Sequence, residues 1–372
     1  MRILHIPNYY NPHIGGIETV AEDIVNSLKD KHEQRVICFK DDKGTVTEEV
    51  NGIKVTRVSC IAKVASQSIA PEYRKELKKI MKEFEPEVVV FHYPNPFVAA
   101  FLRRHFKRKF KLVLYWHLDI VKQKLLGKFF AHQTKVLLER ADCVVATSPN
   151  YIKESKWLTK YKYKTTVIPN CVSDDIDVIS DEVSSKTLEI KEANKAKTIV
   201  FALGRHVEYK GIIHLVNASK YLDDSFKIYI AGKGPLTESL IEASKDDNKI
   251  TFLGRVEQTE LKAYLNACDI FAFPSITKNE AFGIALAEAM ALGKASVTFT
   301  IPGSGVNYVS LNGVTGIEVD NQDDNAFANA LVKLQQDKAL REKYEVAAKE
   351  RCNTLFRFKE FKKNIEEMLE VL

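Results

Sequence analysis

An α/β protein built as two doubly wound halves is predicted by three features of this sequence. Short apolar runs recur along the whole chain. Helical or polar segments separate most of them. One stretch, residues 174–197, is charged and poor in aromatics, and it divides the series in two. Alternation of this kind implies mostly parallel sheets covered by helices on both faces. A length of 372 residues also exceeds what one hydrophobic core usually serves. The expected domains are residues 1–172 and 173–354, with an amphipathic last helix near 355–372 placed to pack back on the first.

In chain order, residues 2–7 read as a strand, and a polar loop follows that carries Gly15 and Gly16. Ile17, Val20, Ala21, Ile24, Val25 and Leu28 then share one helical face. A second strand is expected at 35–39, which makes a Rossmann-like opening, although no full G-x-G-x-x-G is present. Further strands of the first half are expected at 55–58, 88–91, 112–115, 143–146 and 166–168. The second series runs through 198–203, 227–231, 250–253, 270–273 and 316–319. In such sheets ligands bind at the carboxyl ends of the strands.

Composition narrows the function classes. The chain is 45% hydrophobic and 28% charged, ordinary for a globular protein, and its formal net charge of +6 is too mild to name an anionic partner. No nucleic-acid partner is expected. The six cysteines are scattered without a C-x-x-C, and read as thiols in a reducing compartment. The strand-like first residues lack a signal-peptide pattern, and no window of 18 residues is wholly apolar. The expectation is a cytoplasmic protein. There is no metal-ligand spacing, Walker sequence or G-x-S-x-G elbow, so neither a metal nor another cofactor is expected.

Residues suited to chemistry cluster just after expected strands. Gly15 and Gly16 would let backbone N–H groups approach a phosphate, or make an ordinary tight turn. Trp116-His117-Leu118-Asp119 places a histidine and an acid at a strand end, fit for sugar hydroxyls or proton movement, or for a structural role. Gly204-Arg205 with Lys210-Gly211 offers a guanidinium fork and a point charge ahead of a helix, the outline of a diphosphate site. Gly232 to Pro235 reads as a turn, and Gly303-Ser304-Gly305-Val306 as a further close backbone approach. After the run 270–273, Glu280 stands in a loop before a helix expected to begin near Phe282 and stop at Gly293, with Glu288 two turns inside it. Two carboxylates around a helix start suit a polyhydroxylated ligand, since each accepts several hydroxyl hydrogen bonds.

Residues 97–111 mix Phe97, Phe101, Leu102 and Phe106 with Arg103, Arg104, Lys107, Arg108, Lys109 and Lys111. The pattern is a basic amphipathic helix, fit for an anionic membrane surface or simply a solvated cationic face.

Taken together, Gly15-Gly16, His117, Gly204-Arg205, Lys210-Gly211, Glu280-Ala-Phe-Gly and Glu288 resemble the retaining glycosyltransferases of family 4, which have the GT-B fold: two Rossmann-like domains facing a central cleft. The resemblance covers nearly the whole chain. It implies that Glu280 contacts the donor sugar, and that backbone near Phe282, Gly283 and Ile284 holds the donor. Glu288 would bind ribose hydroxyls, Arg205 and Lys210 would neutralise the diphosphate without a metal, and His117 would lie near the transferred sugar. Asp119 and Lys122 are acceptor-side candidates. Residues 116–124 and 302–306 look like the mannosyl- and rhamnosyl-type members that build bacterial O-antigen or capsule. The implied activity moves a hexose-type sugar, GDP-mannose-like or UDP-linked, to a lipid-linked glycan on the inner face of a membrane, where the enzyme would be peripheral.

Two other classes remain open from the residues. One is a nucleotide-sugar 2-epimerase or a phosphorylase on the same fold, although neither carboxylates placed for proton abstraction nor a pyridoxal lysine can be identified. The other is a non-catalytic nucleotide-sugar-binding protein, against which the full set of polar site residues argues.

Overall fold

The computed structural model describes residues 1–13, 15–64, 67–102, 110–119 and 127–372. Lys122 and residues 103–109 of the basic stretch 97–111, which include Phe106 and all of its cations but Lys111, lie outside the described residues. The chain forms two compact units: Met1–Asn170 with Phe361–Leu372, and Cys171–Glu360.

Unit 1 contains β1 (Arg2–Ile6), β2 (Glu33–Lys40), β3 (Val46–Val50), β4 (Ile53–Ser59), β5 (Ala62–Val64), β6 (Gln67–Ile69), β7 (Val88–Tyr93), β8 (Lys111–Trp116), β9 (Cys143–Ala146) and β10 (Thr165–Val167). Its helices are α1 (Gly16–Leu28), α2 (Tyr73–Phe84), α3 (Pro96–Leu102), α4 (Gly127–Arg140) and α5 (Pro149–Glu154). The main sheet runs β10-β9-β8-β7-β1-β2-β4-β3, parallel except for β3, and β5 and β6 make a separate hairpin. Every residue of β7, Val-Val-Val-Phe-His-Tyr, is buried, as expected of a strand covered on both faces. The expected strands of this half all form, with bounds shifted by one or two residues; β3, β5 and β6 were not foreseen. β3 is exposed along most of its length, so it carries little apolar signal.

Unit 2 contains β11 (Thr198–Leu203), β12 (Phe226–Ala231), β13 (Ile250–Gly254), β14 (Ile270–Phe273), β15 (Ala295–Phe299) and β16 (Gly316–Val319). Its helices are α6 (Asp181–Ala193), α7 (Ile212–Ser219), α8 (Thr237–Ala243), α9 (Gln258–Ala267), α10 (Ile284–Ala291), α11 (Val306–Val309), α12 (Asp324–Gln336), α13 (Lys338–Leu355) and the start of α14 (Phe358–Glu370). The all-parallel sheet has the order β13-β12-β11-β14-β15-β16, which reverses direction between β11 and β14. That reversal is the topological switch point of a Rossmann sheet, where ligands bind.

The stretch expected to be a linker is instead largely the helix α6. Ser180 caps it, accepting a hydrogen bond from Val183 N–H at 3.2 Å, and Asp181 and Glu182 favour its first turn. The helix looked like a linker because Val183 is its one buried side chain; it packs on α9, with Thr187 donating to Ala263 O at 3.5 Å. The expected last helix forms as α14, and the longer helix α13 runs immediately before it. In unit 1, Glu366 and Lys362 of α14 pair with Lys31 and Asp30 at 2.9 and 3.4 Å. Phe361, Ile365 and Leu369 form its buried face.

Candidate active site

In unit 2 the loops after β11 and β14 meet at the switch point. Ile276 N–H donates to Tyr209 O at 2.9 Å across them. Gly211 has φ +59°, and a Cβ there would stand 2.1 Å from Pro274 O, so only glycine permits this approach. Gly283, at φ +95°, turns the β14 loop into α10 beneath the Phe273 ring. The helix thus begins at Ile284 rather than near Phe282, and Glu288 sits about one turn inside it.

This arrangement brings Lys210 and Glu280 into direct contact, although 70 residues separate them. Ser275 Oγ donates to the same carboxylate oxygen at 3.3 Å, and Ser304 Oγ donates to Glu280 O. The pair is largely buried, with side chains 15% and 11% exposed. Burial opposes the charge on Lys210, but the Glu280 carboxylate outweighs it and the ammonium is held more firmly than usual. Its Nζ also lies 5.2 Å from the Phe273 ring centroid. Arg205, by contrast, is exposed, and its guanidinium makes no ion pair or hydrogen bond among the described residues. Gly204 lies under the Lys210 stem, a Cβ there meeting Lys210 Cδ at 3.5 Å.

Glu288 is half-buried, and no partner for its carboxylate exists among the described residues. Burial pushes its pKa up to about 7, so the group sits between its neutral and charged forms at physiological pH. The Phe282 ring is packed edge-on against Phe356 at 5.4 Å in the core, which leaves its backbone, not its side chain, to the loop. Gly305 is placed against Ala281 O, where a Cβ would come within 2.1 Å. Gly232 to Pro235 forms the β12–α8 connection.

Unit 1 places its candidates at separate strand ends. Gly15 caps α1 and Gly16 begins it, with the Glu18 carboxylate lying over Gly15. His117 follows β8 and is buried; burial lowers its pKa to about 3, which keeps the ring neutral. Its Nε2 lies 3.0 Å from His92 Nδ1. Asp119 is also buried, its Oδ1 accepting from Trp116 Nε1 at 3.1 Å and Ser155 Oγ at 2.9 Å, while its N–H donates to Tyr151 Oη at 2.7 Å. Those bonds give the carboxylate a local structural task. Sequence reasoning did not find His92, Ser275 or the side-chain role of Ser304. A histidine at the penultimate position of an apolar strand is the signal that marks His92.

The sequence matches the model for Glycosyltransferase Family 4 over residues 14–176 and that for Glycosyl transferases group 1 over residues 184–351. It is 30% identical over 338 residues to the D-rhamnosyltransferase WbpZ of Pseudomonas aeruginosa, covering 89% of this chain and 86% of that protein. This chain belongs to the family 4 glycosyltransferases. The O-antigen chain mannosyltransferase C of Escherichia coli is 27% identical over 360 residues, 96% of this glycosyltransferase and 94% of the relative. Among solved structures, Anabaena Alr3699/HepE in complex with UDP superposes over 100% of both chains with a TM-score of 0.81 at 18% identity. The fold is therefore GT-B, and the protein is a glycosyltransferase. Among the described residues no helix is long and apolar enough to cross a membrane.

Proposed function

We propose that this glycosyltransferase moves a hexose of the mannose class from a nucleoside-diphosphate donor, GDP-linked in preference to UDP-linked, to a lipid-linked glycan in cell-surface polysaccharide synthesis. The carrying observation is the corner at the β11–β14 switch point, where Lys210 and Glu280 touch and Arg205 is exposed without an ion-pair partner. Two cations beside a buried acid suit a reaction in which a diphosphate leaves and a sugar becomes electron-poor. Arg205 and Lys210 hold the leaving charge, which removes the need for a metal. Glu280 meets the donor sugar, backbone at Phe282, Gly283 and Ile284 holds the donor, and Glu288 takes the ribose. His117 is assigned to the transferred sugar on the family resemblance. The mannosyl- and rhamnosyl-type relatives support the sugar class, and the O-antigen relative supports the acceptor class. Transfer with retention, through an ion-pair-like front-face route, is part of the same proposal.

A thermal-shift panel of GDP, UDP, dTDP and ADP tests the donor base, because a ligand that binds only the folded state raises its Tm. GDP should give the largest shift; a larger shift with UDP moves the donor to the UDP-sugars. Turnover of GDP-mannose on a lipid-linked acceptor should persist after dialysis against EDTA. Loss that magnesium or manganese restores would contradict the metal-free assignment. The anomeric configuration of the product, read by NMR, decides retention.

A further inference from the structure

Glu280 stands in the loop between β14 and α10, so neither a strand ladder nor a helix fixes its backbone. Other segments hold it. Its N–H donates to Thr277 O at 3.0 Å. Its carbonyl is reached from the loop between β15 and α11. Ser304, in that loop, is wholly buried. Its Oγ takes the Val306 N–H at 3.2 Å and gives its own proton to Glu280 O. Chemistry fixes the direction of both bonds, because an amide N–H only donates and a carbonyl only accepts. Gly305 completes the approach: a Cβ there would stand 2.1 Å from Ala281 O and 2.9 Å from Phe282 Cα. With φ −71° and ψ −15°, Gly305 has a backbone that any residue adopts, so the position needs glycine for space alone.

The arm that carries Ser304 is itself braced. Asn307 accepts from Ile301 N–H at 2.7 Å and donates to Phe299 O at 3.0 Å, which ties the loop to the end of β15. Ser304 N–H donates to Ile301 O at 3.0 Å. Arg351, on α13, donates to Tyr308 O at 2.6 Å and to Val309 O at 3.1 Å, closing the far end of α11. Other buried hydroxyls nearby do a different job. Ser310 Oγ lies 2.9 Å from Ser296 Oγ and 3.1 Å from Thr315 Oγ1, and Thr315 Oγ1 accepts from Leu311 N–H at 2.7 Å. Those bonds stay within β15 and the connection from α11 to β16. Ser304 instead gives its proton to the backbone of an acid at the switch point, 24 residues away in sequence.

We propose that Ser304 is a positioning residue for the transfer reaction: by fixing the Glu280 carbonyl it sets the direction in which the Glu280 side chain leaves its loop, and so aims the carboxylate without touching substrate. Lys210 and Ser275 hold the carboxylate end of Glu280, while Ser304 and Thr277 hold its backbone end. The anchor matters for rate, since misplacing a catalytic group by about 1 Å can cost on the order of 100-fold. The proposal rests on the assignment of Glu280 to the donor sugar.

The test compares Ser304→Ala with Ser310→Ala in the full chain. One readout is kcat for transfer to a lipid-linked glycan from GDP-mannose, or from the UDP-sugar if the thermal-shift panel favours UDP. The other is the calorimetric Kd of the free nucleoside diphosphate. Ser304→Ala should lower kcat about 10-fold, the size of one hydrogen bond, and leave that Kd unchanged. Ser310→Ala removes a buried hydroxyl of the same region and should keep the wild-type kcat. In Glu280→Gln the charge to be aimed is gone, so adding Ser304→Ala should lower kcat by less than about 2-fold more. Should Ser304→Ala fail to fold, Ser304→Cys keeps the volume with a weaker donor and should show the same pattern at smaller size. With Glu280→Gln slow, a wild-type kcat in Ser304→Ala, an equal loss in Ser310→Ala, or an equal loss with and without the Glu280 charge overturns the proposal and leaves the role of Glu280 intact. If Glu280→Gln itself turns over like wild type, the assignment of Glu280 to the donor sugar fails and the proposal with it.

Discussion

The corner around Lys210 and Glu280 in unit 2 and the histidines His5, His92 and His117 in unit 1 both stand at strand ends of parallel sheets, yet burial has opposite consequences in them. At the β11–β14 switch point a lysine and an acid are buried together, and contact with Glu280 holds the charge on Lys210. At β1, β7 and β8 three titratable rings are buried without a counter-charge, and all three lose their charge. A buried site keeps charge only where an opposite charge is brought to it. Under the proposed function, the first corner would serve a charged leaving group and the second neutral hydroxyls.

The largest test of that contrast is Lys210→Ala. It leaves Glu280 buried without its cation, so it should cost about 3 kcal/mol of stability by urea denaturation and, if Lys210 holds the donor diphosphate as proposed, about 100-fold in turnover. Wild-type stability would mean that the acid is satisfied without the lysine. Arg205→Ala separates the two effects, because the guanidinium is exposed and bonds to nothing described. Its turnover should fall on the order of 100-fold while stability stays within about 0.5 kcal/mol of wild type. Near-normal turnover at saturating donor would remove Arg205 from the diphosphate site.

Glu288 sharpens the comparison, since it is a half-buried acid that lacks a cation. Its pKa is raised from 4.5 to about 7. The folded state therefore holds a proton that the unfolded chain releases, and stability falls as pH climbs from about 4.5 to 7. The full cost is about 3 kcal/mol at most, fully present above the folded pKa. Glu288→Gln has no such dependence, so its stability relative to wild type should rise across that window. If the carboxylate takes the ribose hydroxyls, wild-type affinity for the nucleoside diphosphate should also increase as pH passes 7, and the glutamine variant should bind weakly at every pH. Equal affinities, measured calorimetrically from pH 6 to 8 in both proteins, would end the ribose assignment. The smallest effect is expected of Glu280→Gln. It loosens the hold on Lys210, so nucleoside diphosphate affinity should hold or improve while kcat falls; the opposite pattern would exchange the roles of the two acids.

Most strands were legible because they are apolar on both faces, as in Val88 to Tyr93 or Ile270 to Phe273. β15, Ala-Ser-Val-Thr-Phe, was missed although every residue is buried, because two of its five positions are polar. The helix α6 is hidden by its sparse apolar face, although Ser180 is a residue type that caps helices. Arg205 and Lys210 stand out because they lie between glycines after an apolar strand, and Glu280 because it follows another apolar strand just before a small-residue helix. The contact that joins Lys210 to Glu280 was not legible, since it depends on two loops crossing at a sheet reversal. Nor was the neutrality of His117, which is a property of its surroundings on three strands.

The backbone bond from Ile276 to Tyr209, with Gly211 pressed against Pro274 O, makes the two loops one mechanical part. Directed evolution toward a new donor sugar would therefore fare poorly if each loop were randomised alone. Productive libraries should diversify residues 205–210 and 275–282 together while leaving Gly211 fixed. Recombination breakpoints for chimaeras with other members of the family belong before β11 or after α10, so that both loops are inherited from the same parent.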